Sequence, residues 1–185
     1  IVMKKLLSIL LVLLMVCSLT VSALATTSTT GSITITNATI GNTYSLYKIF
    51  DATYSVKTDN TADSIIYTID KDTNPFFEYL FGDGTKENEH FTYDSEKGTV
   101  AKRATTSDQA IIDYLTAMVR TKNEDNTDKF NAVRTEIADS KIVTFNGLPY
   151  GYYLIDKGTG SSVTIDSNTP NVEVIDKNQE PAPDF

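Results

Sequence analysis

Residues Thr43–Ala52 read TYSLYKIFDA, and this stretch constrains the fold more than any other. Side chains alternate across a strand, so Tyr44, Leu46 and Phe50 share one face with Lys48, while Tyr47 and Ile49 take the other. Both faces are largely apolar. A strand of that kind is expected in the middle of a structure, with cover on both sides.

Other strands are expected around it. Ser32–Asn37 sets Ile33 and Ile35 against polar residues, the mark of a half-buried strand, and Ile40-Gly41-Asn42 is a turn signal. Ser64–Ile69 is a further short strand, and His90–Tyr93 with Thr99–Lys102 forms a hairpin around Asp94–Gly98. Lys141–Asn146 alternates again. It is followed by the turn Gly147–Gly151, with Pro149 inside it, and by Tyr152–Asp156 running back. Ser162–Ile165 and Val172–Ile175 complete the set.

Helices are confined to the middle of the chain. Asn74-Pro75 suits a helix start, and the short run Phe76–Phe81 stops at Gly82. Ser107–Lys122 is the best helix: Ser107 caps it, and Ala110, Ile111, Tyr114, Leu115 and Met118 fall on one face. Phe130, Val133 and Ile137 predict a second helix over Asp128–Ala138. The pattern predicts a mainly β fold: an Ig-like β-sandwich of about eight strands with a helical insertion in the middle.

The N-terminus reads as a secretory leader. Lys4 and Lys5 precede an apolar run from Leu6 to Leu19, and Ala23-Leu24-Ala25 provides a small-residue cleavage pattern between Ala25 and Thr26. The run is too short for a stable membrane span. The expected organisation is a signal peptide over 1–25, a polar leader over 26–30, one domain over 31–178 and a Pro-rich linker over 179–185. Cys17 lies within the leader, so the exported chain has no thiol with which to form disulfides.

Composition narrows the function. With 16 Lys and Arg against 24 Asp and Glu, the chain lacks the basic surface on which nucleic-acid binding rests. One Cys and one His exclude a Cys-rich zinc site or a Cys–His catalytic pair. His90 has no nucleophile or second ligand near it in sequence. Asp70-x-Asp72-x-Asn74 imitates the start of a calcium loop, but Pro75 and Phe81 stand where Gly and Glu are needed, which leaves a turn and a helix cap. Asn37-Ala38-Thr39 is a glycosylation triplet of the kind that arises by chance. No phosphate loop or nucleophile elbow is present. The expectation is a protein that is not an enzyme and uses no cofactor or metal. The many Tyr residues suit either cross-strand packing or a sugar-binding face.

Two lysines stand out. Lys48 interrupts an apolar strand face, so its amine needs a partner or a way to solvent. A covalent bond to an Asn or Asp side chain is the exotic alternative. Lys177 follows the last strand in Val172-Glu173-Val174-Ile175-Asp176-Lys177-Asn178 and precedes the Pro-rich tail. An amine at a domain's end suits an acceptor for another enzyme.

Three segments together, GSITITNATIGNTYSLYKIFDA, FNGLPYGYYLIDKGTG and TPNVEVIDKNQEP, resemble the N-terminal domain of Gram-positive sortase-assembled pilins. The resemblance covers nearly the whole chain after the leader. In that family a motif Val-x-Val-Tyr-Pro-Lys-Asn ends the domain, and its Lys attacks a sortase thioester to make an intermolecular isopeptide bond. Here Val172, Val174, Lys177 and Asn178 match, while Ile175 and Asp176 replace Tyr and Pro. The resemblance implies that Lys177 is the sortase acceptor. It implies a pilin-class sortase and neighbouring pilin subunits as partners, and a place in a pilus on the cell wall and cell surface. Any internal Lys–Asn bond would pair Lys48 with Asn171. The family's sorting signal does not follow residue 178, so the chain is expected to be a fragment of a longer protein. The rival reading is a surface adhesin domain that binds host glycan or protein.

Overall fold

The computed structural model describes residues 30–56, 62–157 and 161–177. The expected leader, the cleavage site at Ala25 and Thr26, Asn178 and the linker over 179–185 lie outside them. Among the described residues there are two sheets and two helices. The strands are β1 (Thr30–Thr36), β2 (Thr43–Val56), β3 (Ala62–Thr68), β4 (Phe91–Asp94), β5 (Thr99–Lys102), β6 (Arg134–Ile137), β7 (Ile142–Pro149), β8 (Gly151–Asp156), β9 (Ser161–Ile165) and β10 (Asn171–Ile175). The helices are α1 (Phe77–Phe81) and α2 (Asp108–Val119). The fold is mainly β, as the alternation predicts.

The larger sheet has the order β4-β5-β3-β2-β8-β9, with β6 also paired to β2; the smaller has the order β10-β1-β7. In the smaller sheet β1 runs parallel to β10, from Ser32 opposite Asn171 to Thr36 opposite Ile175. It runs antiparallel to β7. The first and last described strands are therefore neighbours.

Two cores flank the larger sheet. Between the sheets, Ile33, Ile35, Val143, Phe145 and Leu148 meet Tyr44, Leu46, Tyr153, Ile155 and Ile165. On the opposite side, Tyr47, Ile49, Phe50 and Leu154 meet Phe76, Phe77, Leu80 and Phe81 around α1, and Ile111, Leu115, Met118 and Val119 of α2. Strand β2 is central and covered on both faces, as its composition requires.

One detail of β2 departs from simple alternation. Its register against β8 shifts between Lys48 and Phe50, so the ring of Phe50 joins Ile49 and Tyr47 on the helical side instead of Tyr44 and Leu46. A β-bulge inserts an extra residue into one strand and re-aims the side chains beyond it.

Side-chain capping starts α2, whereas α1 begins at Phe77 with Phe76 at its cap position and no side-chain cap bond, one residue later than the sequence predicts. Ser107 Oγ accepts from Ala110 N at 3.1 Å, which satisfies one of the unpaired donors at the start of α2. Asn74 works one turn ahead of α1: its Oδ1 accepts from Phe76 N at 2.9 Å and its Nδ2 donates to Ile49 O at 3.0 Å. The helix predicted over Asp128–Ala138 is absent. Phe130 is buried against Phe76, with ring centroids 5.0 Å apart, but Val133 and Ile137 are 50% and 68% exposed. Val133 N donates to Leu46 O, and Arg134–Ile137 adds to the β2 edge beside Thr43–Leu46. Backbone pairing on that edge outweighs a helical spacing that has nothing to pack against.

Candidate functional site: the end of the last strand

Strand β10 alternates outward and inward. Val172 and Val174 pack on the inter-sheet core, whereas Asn171, Glu173 and Ile175 face out. The alternation continues for two residues beyond the strand: Asp176 turns in and is buried, and Lys177 turns out and is exposed. Among the described residues, no hydrogen bond or ion pair holds the Lys177 amine.

A buried carboxylate needs partners, and Asp176 has them on every polar group. Its N–H donates to Thr36 O at 2.8 Å, and its carbonyl accepts from Asn37 Nδ2 at 3.0 Å. Its Oδ2 accepts from the Tyr44 hydroxyl at 2.6 Å and lies 2.8 Å from Lys157 Nζ, which is 3.1 Å from Oδ1. The Lys157 side chain is only 19% exposed. The Tyr44 hydroxyl in turn accepts from Thr39 N at 2.9 Å. Burial, and then the neighbouring Asp176, push the Tyr44 phenol above its ordinary value, so it stays a neutral donor. Asn37 adopts φ 59°, a left-handed conformation that Asn tolerates better than most residues, and this conformation accompanies the bond from its amide to Asp176.

Beside the pair lies a cavity of about 20 Å³, lined by Ile35, Tyr44, Ile155 and Val174 with Lys157, Ser161 and Asp176. That is room for about one water molecule and far less than a sugar or cofactor requires.

The other singled-out residues lie elsewhere. Lys48 makes an ion pair with Asp51, and its stem lies against Gly151, where a Cβ would fall 2.7 Å from Lys48 Cε. Asn171 Oδ1 accepts from Ser32 Oγ at 2.8 Å on the smaller sheet. The structure therefore does not bring Lys48 and Asn171 together. Each has a partner of its own, and they stand on different sheets. Asp70 closes a turn by accepting from Asp72 N and Thr73 N, and these bonds hold its carboxyl below the ordinary range. His90 packs on the Tyr114 ring at 4.7 Å. Five of the tyrosines pack on other rings, Tyr67, Tyr79, Tyr93, Tyr114 and Tyr152: Tyr93 stacks on Phe81 at 5.0 Å, and Tyr67 meets Tyr152 edge-on at 5.7 Å.

Sequence reasoning singles out Lys177 but misses Asp176 and its partners Tyr44, Lys157 and Asn37. One signal was available: the period of two that places Val172 and Val174 inside, carried two residues further, puts Asp176 inside as well. No family profile matches the chain and no curated protein is similar to it.

Proposed function

We propose that this domain is a structural subunit of a covalently polymerised surface pilus, with Lys177 as the acceptor amine for a pilin-class sortase. The observation that carries the reading is the exposed Lys177 side chain directly after the last strand, with Val172 and Val174 packed inward before it.

The chemistry asks little of the acceptor. The sortase holds the donor subunit's acyl group as a thioester. The unprotonated Lys177 amine attacks the acyl carbon, a C–N bond forms, the C–S bond breaks and the sortase thiolate leaves. The nitrogen loses one proton, and the product is an isopeptide bond between subunits. The acceptor domain therefore needs a reachable amine on a rigid base.

The test incubates the purified protein with a pilin-class sortase and a sorting-signal peptide, and locates new linkages by tandem mass spectrometry. The expected product carries the peptide on Lys177 and disappears in Lys177→Arg, which keeps the charge and removes the usable amine. An unmodified Lys177 in the presence of a competent sortase overturns the assignment and moves the weight to the adhesin reading.

A further inference from the structure

The residue before Lys177 is bonded through its N–H, its carbonyl and both carboxylate oxygens. We propose that Asp176, held by Tyr44, Lys157 and Asn37, is a positioning residue that fixes the point from which the Lys177 side chain leaves the domain. The inference rests on the reading of Lys177 as the acceptor amine.

Three features separate this arrangement from an ordinary plug at the end of a sheet. First, the inward slots at Val172 and Val174 are filled by aliphatic side chains, and a third would complete the core without burying charge. Well-packed apolar residues in place of a buried ion pair are often neutral or stabilising, so the core itself has no need of Asp176 and Lys157. What a hydrogen-bonded charge pair adds is direction. Second, the bonds converge from separate places: Thr36 and Asn37 at the end of β1, Tyr44 on β2 and Lys157 just after β8. Tyr44 also receives Thr39 N, which ties the turn after β1 into the same network. Third, the pair sits beside Ile35, Ile155 and Val174, whose apolar surroundings strengthen the bonds.

The consequence falls on the next residue. A Lys side chain has four rotatable bonds, and transfer requires its nitrogen at roughly 3–3.5 Å from the acyl carbon. A fixed root shrinks the volume that the amine explores while leaving it exposed. A frayed strand end would move the root as well as the chain.

The experiment compares Lys157→Met, Lys157→Arg, Tyr44→Phe and Asp176→Asn with the unmodified protein. Circular dichroism first identifies the variants that fold. Sortase-mediated transfer of a sorting-signal peptide to Lys177 is then measured over a range of acceptor concentrations. In parallel, a small amine-reactive acetyl ester labels Lys177 without an enzyme. In Lys157→Met, kcat for transfer at Lys177 is expected to fall about tenfold, with a growing share of the product on other lysines. Ester labelling of Lys177 is expected to stay unchanged, and Lys157→Arg to restore transfer. Folded Lys157→Met and Tyr44→Phe proteins that keep the unmodified kcat at Lys177 overturn the proposal, as does an equal fall in ester labelling, which would mean a buried amine rather than a misplaced one. If Asp176→Asn does not fold, the Lys157 and Tyr44 variants decide. Failure of the acceptor reading is seen separately: the unmodified protein then carries no peptide on Lys177.

Discussion

On one face, β2 offers Tyr44 and Leu46 to Ile33 and Ile35 of β1 and to Val143 and Phe145 of β7. On the other it offers Tyr47, Ile49 and Phe50 to Phe76, Phe77 and Leu80 around α1 and to Leu115 and Met118 of α2. The first face is mostly aliphatic and is assembled from strands far apart in the chain. The second is rich in rings that meet at angles, as Phe50 does with Phe91 at 5.2 Å and 79°. Its partners come largely from the segment between β3 and β6. The difference separates two tasks. The helical side supplies bulk and cover. The inter-sheet side supplies residue-by-residue register between β1 and β10, and that register delivers Asp176 and Lys177 to the end of the domain.

If this division holds, damage to the helical side should cost stability without disturbing residues 171–177. Phe77→Ala, at a site 2% exposed, is expected to destabilise by about 3–5 kcal/mol in urea unfolding. The amide shifts of β10 are expected to stay near their original values. Large shifts in β10 would erase the distinction.

Gly31→Ala attacks the other side. A Cβ at Gly31 would lie 1.8 Å from Pro170 O, and main-chain atoms there cannot swing away as a long side chain does. The adjacent bond from Ser32 N to Pro170 O starts the β1–β10 pairing. A loss of about 1–3 kcal/mol is expected, together with faster hydrogen exchange along β10. A neutral substitution would mean that the β1–β10 pairing tolerates a wider approach at Gly31.

Alkaline pH sharpens the comparison through tyrosines on both faces. Burial raises the phenols of Tyr44 and Tyr153 on the inter-sheet side and of Tyr152 on the helical side. The Tyr153 hydroxyl also donates to Pro149 O at 2.6 Å. An unfolded phenol titrates near pH 10. Because the folded values are higher, the associated stability is complete below about pH 10 and is lost as pH rises beyond it. Stability is expected to fall above that pH, Tyr153 alone contributing roughly 1 kcal/mol per pH unit, so the decline is shallower in Tyr153→Phe. Urea midpoints between pH 8 and 11 measure it.

The smallest effect is expected at Lys48. Its partner Asp51 is half exposed, so Lys48→Met should change stability by no more than about 1 kcal/mol. An intact mass one water or one ammonia below the calculated value, restored in Lys48→Met, would instead reveal a covalent bond at this lysine.

Much of the fold was legible because period-two alternation reports burial directly, as in Ile33 and Ile35, and in β2, whose two apolar faces demanded two layers. The failures have physical causes. Phe130, Val133 and Ile137 carry helical spacing, but spacing is silent about partners, and only Phe130 is buried. Simple alternation puts Phe50 on the wrong face because a bulge shows in pairing and not in composition. At the candidate site, the exposed position of Lys177 after the last strand is legible from the alternation of Val172 and Val174. Asp176 is not, since an aspartate reads as solvated and its Tyr44 partner lies 132 residues away in the chain.

The parallel pairing of β1 and β10 has a mechanical side. The two strands run the same way, so Thr30 at the start of β1 and Ile175 at the end of β10 lie at opposite ends of the small sheet. Tension drawn between those points slides one strand along the other. The five registered pairs from Ser32–Asn171 to Thr36–Ile175 then resist in shear and together. An antiparallel terminal pair pulled at adjacent ends would unzip one bond at a time. Asp176 stands at that end of β10, and its bonds to Thr36, Asn37, Tyr44 and Lys157 spread a load there over both sheets.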